Sequence, residues 1–376
     1  MKSGSYKTFS DLFQTLDPAE VSKQVLSAGA ADVKAALNKA GHCSLEDFAA
    51  LLSPAAEPFL EEMAVQANKL TRKRFGKTIQ MFVPMYLSNE CQNICTYCGF
   101  SLGNKIPRLT LSKAQFLKEI EAVKKWGFEH ILLVTGESHS VGMDYFLEMI
   151  PVARKHFAHV SIEVQPLEEE EYSKLHEAGV ESVLVYQETY NEESYAKHHT
   201  KGKKSKFYNR LETPEKIARA GINKIGLGSL LGLADWRVDA WFAGLHLVYM
   251  REKYWRSRYS LAFPRLQPAE GIVDPAVVTT ERNLAQIICA YRLLDETVDL
   301  SLSTRESKRF RDHAIQLGVT TMSAGSRTDP GGYQTSKTEL EQFEISDERT
   351  PEEVAKMLFK AGLEPVWKDW DQSISG

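Results

Sequence analysis

The stretch Met81-Phe-Val-Pro-Met-Tyr-Leu87 begins the pattern that decides the fold, because it is a short apolar run between polar residues. Seven more runs of this kind follow along the chain. Each is separated from the next by a longer segment with apolar residues three and four positions apart. Short buried runs that alternate with amphipathic helices are typical of a parallel sheet. The eight predicted strands are residues 81–87, 130–135, 159–164, 182–186, 222–227, 259–263, 298–302 and 319–322.

Eight such strands and their helices fill residues 79–330, which matches the roughly 250 residues of a closed (β/α)8 barrel of the TIM type. We therefore predict an α/β barrel, with a doubly wound open sheet as the alternative, because a sequence pattern does not show closure. Residues 1–78 carry only helical patterns and are predicted as an N-terminal helical extension. Residues 331–376 are predicted as a helical tail that packs on the barrel. The predicted barrel helices are residues 112–126, 142–156, 167–178, 214–220, 235–254, 277–295 and 307–316, with Pro214 in the first turn of its helix after Thr213.

The charge balance excludes several classes of partner. The chain has 46 Lys and Arg against 50 Asp and Glu, and a net charge of −4 provides no field that would hold nucleic acid or an anionic membrane. No stretch approaches the ~18 apolar residues of a membrane span, and the first residues lack the apolar core of a signal peptide. We expect a cytoplasmic protein with no nucleic-acid or membrane partner.

Three of the five cysteines, Cys91, Cys95 and Cys98, lie within eight residues directly after the first predicted strand. An odd number of clustered cysteines indicates metal or cluster ligation rather than a disulfide framework. A structural zinc site needs four protein ligands, and iron–sulfur clusters usually take four cysteines. Three ligands therefore predict an open coordination position at the mouth of a barrel, or else a zinc site completed by a distant histidine.

The order Cys-x3-Cys-x2-Cys, with the aromatic Tyr97 before the last cysteine, resembles the signature of the radical S-adenosylmethionine (SAM) enzymes. The resemblance implies a 4Fe-4S cluster that is held by Cys91, Cys95 and Cys98 and leaves one iron open for SAM. It also implies that an electron from the cluster cleaves SAM to methionine and a 5′-deoxyadenosyl radical.

Later strand ends carry further residues of this resemblance. Thr135-Gly136-Glu137 resembles the Gly-Gly-Glu motif that receives the methionine ammonium group, with Thr135 in place of the first glycine. Glu188 follows the fourth strand, where biotin synthase places an acidic contact to the ribose. Taken singly, these carboxylates have a simpler interpretation as solvated side chains.

Two more positions belong to the same set. Arg210 lies in a stretch similar to the Arg-Leu-Asp-Thr stretch of biotin synthase, whose arginine pairs with the SAM carboxylate, and Gly228 lies where the family packs adenine. The simpler interpretations are a surface ion pair for Arg210 and a turn for Gly228.

The last two strand ends predict a substrate site. Ser303 and Arg305 follow the seventh strand, and Ser323 and Arg327 follow the eighth. Serine and arginine side chains at a barrel mouth suit an α-carboxylate, because a guanidinium binds a carboxylate with two hydrogen bonds. Arg305 is the preferred clamp and Arg327 the second candidate. The alternative for each is an ion pair that holds the terminal helix.

Nearly the whole chain resembles the tyrosine lyases of thiazole biosynthesis, the 2-iminoacetate synthases (ThiH), including residues 186–189, 198–199, 224–233 and 343–350. The resemblance implies cleavage of the Cα–Cβ bond of L-tyrosine to 2-iminoacetate (dehydroglycine) and p-cresol. It also implies association with the thiazole synthase ThiG and a reducing electron donor such as flavodoxin or ferredoxin.

Three alternatives accompany this prediction. A radical SAM tryptophan lyase (NosL) shares the barrel and the chemistry. A non-catalytic iron–sulfur electron carrier would lack cofactor loops at the later strand ends. A hydrogenase maturase (HydG) needs a second cluster in its C-terminal part, whereas Cys289 is the only cysteine of this sequence after Cys98.

Overall fold

The computed structural model describes residues 6–267, 275–334 and 341–368, and its sheet closes into a barrel. The strands are β1 (Thr78–Ser88), β2 (Ile94–Cys95), β3 (His130–Thr135), β4 (His159–Glu163), β5 (Ser182–Leu184), β6 (His199–Lys201), β7 (Lys224–Gly228), β8 (Arg258–Ala262), β9 (Asp299–Leu302), β10 (Thr321–Ser323) and β11 (Glu364–Val366). The barrel order is β1-β3-β4-β5-β7-β8-β9-β10. Parallel pairing of β10 with β1 closes it, with Met81 opposite Met322. The predicted barrel is confirmed, and the alternative prediction of a doubly wound open sheet is wrong.

Helices cover the outside of this barrel. They are α1 (Phe9–Phe13), α2 (Pro18–Ser27), α3 (Ala30–Leu37), α4 (Leu45–Leu52), α5 (Leu60–Phe75), α6 (Lys113–Lys124), α7 (Met143–His156), α8 (Glu169–Glu177), α9 (Glu192–His198), α10 (Phe207–Arg219), α11 (Trp236–Lys253), α12 (Glu281–Leu294), α13 (Lys308–Ala314) and α14 (Pro351–Lys360). Short 3-10 turns occupy Pro54–Phe59 and Lys203–Ser205. Residues 1–5 of the predicted extension and residues 335–340 and 369–376 of the predicted tail lie outside the described residues.

One predicted helix start is wrong. The sequence predicted Pro214 in the first turn of its helix, after Thr213, but α10 already begins at Phe207 and Pro214 lies in its interior. The missing N–H of a proline costs one helical hydrogen bond. Here the proline belongs to the buried face of the helix together with Arg210 and Leu211, so tertiary packing outweighs that loss. The longer helix carries Arg210 on a rigid element instead of a loop.

The N-terminal helices pack against the second half of the barrel. Helix α4 contacts α11 and α12, and α5 lies along α12. The side-chain amide of Gln286 on α12 donates to the carbonyls of Leu51 and Ser53, each at 2.9 Å. At the other end of the extension, the Phe9 ring stacks on His246 with 3.8 Å between ring centroids. These contacts fix the outer helices whose loops lead to the barrel mouth.

Short strands outside the barrel escaped the sequence analysis. β2 and β6 pair antiparallel, with Cys95 opposite His199, and so tie the cysteine loop to the segment after α9. β11 pairs with the start of β1, with Ile79 opposite Pro365. Strands of two or three residues carry no usable period. In the described part of the chain, no helix is long and apolar enough to cross a membrane.

Candidate active site at the carboxyl ends of the strands

A large cavity opens at the carboxyl ends of the barrel strands. Its empty volume is about 1480 Å³, which includes solvent at its mouth. Most of the predicted site residues line it, namely Cys91, Cys95, Tyr97, Cys98, Thr135, Gly136, Glu137, Glu188, Arg210, Ser303, Arg305 and Ser323. The structure therefore brings together residues that are more than 200 positions apart in the sequence.

Cys91, Cys95 and Cys98 are free thiols on the loop after β1, and all three face this cavity. Burial raises the pKa of the Cys95 and Cys98 thiols, and the neighbouring thiols raise both further. Thiols with a raised pKa ionise only when a positive charge lies nearby. The iron ions of an iron–sulfur centre supply such a charge, and they bind soft sulfur donors. Among the described residues, no three Cys, His, Asp or Glu side chains surround a point that a single metal ion could occupy.

Arg108 holds the cysteine loop from behind. Its guanidinium donates to the carbonyls of Asn89, Phe100 and Ser101 at 2.7–2.8 Å. The Cys95 N–H donates to the Ser101 hydroxyl at 3.1 Å. One arginine thus fastens both ends of the loop that carries the thiols. Arg108 was not predicted, because nothing in its local sequence pattern distinguishes it from a surface arginine.

Tyr97 links the cysteine loop to the segment after α9. Its hydroxyl lies 2.6 Å from Nε2 of His199, and the hydroxyl of the preceding Thr96 lies 2.5 Å from Nδ1 of His198. These two contacts continue the β2–β6 pairing. The predicted cofactor residue Tyr97 therefore also fixes the position of the loop.

Two carboxylates and two cations form a buried charge cluster beside the thiols. Arg210 Nη1 lies 2.7 Å from Glu137 Oε1, and Lys204 Nζ lies 2.6 Å from Glu188 Oε1. Burial opposes ionisation of both carboxyl groups. The charges of Arg210 and Lys204 outweigh it and lower both pKa values. Lys204 was not predicted as a site residue, because it lies among other lysines, Lys201, Lys203 and Lys206, and belongs to no motif.

Glu188 has a strained backbone. Its φ of 73° makes it the only non-glycine residue with positive φ among those the structure describes. Its carbonyl accepts from Leu230 N–H at 2.7 Å, which fixes this conformation. Such strain costs of order 1–3 kcal/mol and persists where the surrounding structure over-determines it. The fold therefore holds this carboxylate in one direction.

The two predicted glycines have different roles. A Cβ on Gly136 would lie 2.2 Å from the carbonyl oxygen of Glu90, so glycine allows β3 to approach the cysteine loop. Gly228 does not line the cavity. A Cβ there would lie 2.0 Å from the carbonyl oxygen of Ala262, so its glycine serves close strand packing.

The two predicted arginines, Arg305 and Arg327, also differ in whether they line the cavity. The Arg305 guanidinium faces the cavity and lies over the Phe343 ring, 3.3 Å from its centroid. Arg327 does not line the cavity, and its backbone N–H donates to the Tyr333 hydroxyl at 3.1 Å. The Ser323 hydroxyl accepts from Thr304 N–H at 3.2 Å. Of the two candidate clamps, the structure places only Arg305 at the cavity.

Glu163, the last residue of β4, also lines the cavity and was missed by the sequence analysis. Burial and the nearby Glu188 carboxylate raise its pKa to about 7. A carboxylate at the end of a run of buried strand residues was the signal that could have found it.

Two family models match this chain. Residues 85–240 match the Radical SAM superfamily, and residues 262–364 match the Biotin and Thiamin Synthesis associated domain. The first match contains the three cysteines and Arg210. The second contains Arg305 and most of the tail.

Individual relatives are similar over almost the entire chain. Proteins named 2-iminoacetate synthase from Salmonella typhimurium and Escherichia coli are each 53% identical over 367 residues, which is 97% of this chain and 97% of theirs. Among solved structures, the hydrogenase maturase HydG superposes with a TM-score of 0.88 at 28% identity, over 93% of this chain and 79% of that chain.

Proposed function

This chain belongs to the 2-iminoacetate synthases, a family of radical SAM carbon–carbon lyases, and we propose how its own residues carry out the reaction. The reaction cleaves the Cα–Cβ bond of L-tyrosine to 2-iminoacetate and p-cresol for thiamine thiazole biosynthesis. One observation carries the proposal: a single cavity is lined by three free thiols, a paired charge cluster and Arg305, which forms no ion pair with any described residue. An electron carrier would need only the thiols.

In this proposal Cys91, Cys95 and Cys98 hold a 4Fe-4S cluster. When bound and reduced, the cluster supplies the electron that cleaves SAM to methionine and the 5′-deoxyadenosyl radical. The side-chain amide of Gln342 donates toward the Cys98 sulfur at 3.7 Å, and the Gly99 N–H donates to the Gln342 carbonyl at 3.0 Å. The tail thereby covers one side of the cysteine loop.

The charge cluster and the adjacent strand ends hold SAM in this proposal. Arg210 pairs with Glu137 and also lies 3.7 Å from Glu188, so it can bind the SAM carboxylate without leaving the cluster. Glu188 receives the ribose, and Lys204 keeps that carboxylate ionised. Tyr97, Thr135 and Gly136 complete the wall, and Gly228 supports it from behind.

Arg305 receives the tyrosine carboxylate, with Ser303 and Ser323 beside it. Its guanidinium is already held over the Phe343 ring, so little side-chain entropy is lost when a carboxylate binds. A radical reacts with the nearest hydrogen, so the amino acid must be held within about 3–3.5 Å of the attacking atom. Arg327 stays the second candidate, although it does not line the cavity.

The partners and the location follow from this chemistry as part of the proposal. The product 2-iminoacetate is delivered to the thiazole synthase ThiG. Flavodoxin or ferredoxin supplies the reducing electron. Free thiols and a reduced cluster require a reducing compartment, which favours the cytoplasm.

An anaerobic assay tests the function. The reconstituted, reduced protein is incubated with SAM and either L-tyrosine or L-tryptophan, and the products are separated by chromatography. We expect p-cresol, glyoxylate from hydrolysed 2-iminoacetate, and 5′-deoxyadenosine with tyrosine. Tryptophan cleavage without p-cresol from tyrosine would contradict the proposal and favour the tryptophan lyase.

A further inference from the structure

Glu163 is a carboxyl group of the cavity to which the cofactor chemistry gives no role. It ends β4 opposite Val134 of β3 and faces the same cavity as Arg305. Within residues 6–267, 275–334 and 341–368, no ion pair within 4 Å and no hydrogen bond holds its side chain. The other two acidic side chains of the site, Glu137 and Glu188, are each paired with a cation.

Arg305, like Glu163, forms no ion pair with any residue that the structure describes. Among the described residues its guanidinium contacts the face of the Phe343 ring and forms no ion pair within 4 Å. The charge of Glu163 nevertheless acts on Arg305, and that of Arg305 on Glu163. The cavity thus contains one acidic and one basic group, close enough to interact electrostatically but not joined to each other.

Two opposite charges that lie in a partly buried cavity without contacting each other raise the free energy of the folded protein. A ligand that pairs with both charges removes this cost. A ligand with a cationic and an anionic group on one carbon would pair with both. An α-amino acid zwitterion has this chemistry, and the substrate of the proposed function is one.

We propose that Glu163 receives the α-ammonium group of the substrate while Arg305 receives its α-carboxylate, so that the two residues recognise the amino acid head group together. This rests on the proposed function. A carboxylate clamp alone leaves the head group free to turn about the Cα–carboxyl bond. A second contact on the nitrogen removes that rotation, which matters because the hydrogen to be abstracted is on the nitrogen.

The test compares two ligands on two variants of the reconstituted protein with SAM bound, under anaerobic conditions. Glu163→Gln keeps the shape of the side chain and removes its charge. Glu169→Gln is the matched control, because Glu169 lies on the following helix α8 and pairs with Arg219 at the surface. The ligands are L-tyrosine and 3-(4-hydroxyphenyl)propanoate, which lacks the amino group, and calorimetry measures their affinities.

We expect Glu163→Gln to weaken L-tyrosine binding about 10- to 100-fold, the usual effect of losing a hydrogen bond between charged groups. The affinities for the deaminated analogue and for SAM should not change. The ratio of p-cresol to 5′-deoxyadenosine should fall, because a mobile amine leaves more SAM cleavage uncoupled. Glu169→Gln should match the wild type throughout.

Unchanged tyrosine affinity in Glu163→Gln would overturn the inference. An equal loss of affinity for both ligands would also overturn it, since Glu163 would then contact the ring or the carboxylate end of the ligand. A loss of SAM affinity would overturn it as well, because Glu163 would then bind the cofactor. If Glu163→Gln does not retain iron, the same measurements are made on Glu163→Asp. Its shorter carboxylate should weaken the binding of tyrosine but not that of the analogue. Failure of the wild type to bind tyrosine would instead contradict the proposed function.

Discussion

At the residue scale, the five cysteines divide by position. Cys91, Cys95 and Cys98 line the cavity, whereas Cys289 is buried within α12 and Cys43 contacts backbone carbonyls of the N-terminal helices. We predict that alanine at any of the first three abolishes the absorbance near ~400 nm, the bound iron and turnover, since each is proposed to supply one cluster ligand. Cys43→Ala and Cys289→Ala serve as controls and should keep the absorbance, the bound iron and turnover. Loss of iron in Cys289→Ala, with the fold intact by circular dichroism, would contradict the ligand assignment.

The two candidate arginines also give a prediction at this scale. Arg305→Gln should lower p-cresol formation far more than 5′-deoxyadenosine formation, because the residues proposed to hold SAM lie on other strand ends and on α10. Losing a charged hydrogen bond should weaken tyrosine binding by about 1.5–3 kcal/mol. Arg327→Gln is the control, because Arg327 does not line the cavity. The product ratio and tyrosine affinity of both variants check this, and a normal ratio in Arg305→Gln would exclude it as the clamp.

Individual site residues differ in how readily the sequence reveals them. The place of the cysteines, Glu137 and Arg210 at one cavity was predictable, because each belongs to a motif with characteristic spacing. Lys204 belongs to no such motif, and its place at the cavity depends on which segments meet in space, whereas Glu163 carried a signal only as a carboxylate that ends a buried strand. The sequence already favoured Arg305 over Arg327, and the structure places Arg305, but not Arg327, at the cavity.

At the scale of elements, the contact between β3 and the cysteine loop depends on Gly136. A Cβ there would lie 2.2 Å from the Glu90 carbonyl oxygen and 3.2 Å from Cys91 Cβ. Gly136→Ala must therefore displace the loop, which should destabilise the protein by about 1–3 kcal/mol and reduce iron per chain after reconstitution. Gly103→Ala is the control, since a Cβ on Gly103 meets nothing within 4 Å. Urea unfolding and iron analysis measure both, and full iron content in Gly136→Ala would show that the loop tolerates the displacement.

The regular elements were predictable for a physical reason. A parallel strand buried on both faces is a continuous apolar run, and β3 has the predicted bounds, His130–Thr135. β5 ends at Leu184, two residues before the predicted end, although the apolar run continues. The start of α10 was wrong because its packed face overrides the local preference of Pro214. β2 and β11 form only through pairing with distant segments, which no local pattern records.

At the scale of the whole molecule, a buried ion network fastens the tail to the barrel. Arg311 of α13 pairs with Asp347 of the tail, with the two side chains 0% and 1% exposed. Arg349 lies 2.6 Å from Asp347 Oδ2 and 2.7 Å from Asp312 Oδ1. The same tail carries Gln342 and Phe343 to the cavity. The network therefore connects the position of the tail to the site.

Asp347→Asn would leave Arg311 buried beside a neutral side chain. Breaking one partner of a buried pair typically costs about 3–5 kcal/mol, so we predict a loss of this order in the free energy of unfolding. The matched control is Glu352→Gln, whose pair with Lys356 is 76% and 66% exposed and should contribute little. Urea unfolding of the cluster-free chain at neutral pH measures both.

The pH dependence gives the same prediction a second test. Burial alone would raise the pKa of Asp347, but hydrogen bonds and charge from Arg349 and Arg311 lower it. A carboxyl group with a lowered pKa in the folded state stabilises the protein above its unfolded pKa, and that stability is lost as the pH falls through the folded value. The difference in unfolding free energy between wild type and Asp347→Asn should therefore be full at pH 7 and shrink below about pH 4, the ordinary range of an aspartate. A difference that stays constant down to the folded pKa would mean that Asp347 contributes through packing, and the tail would then be held by other contacts than this ion network.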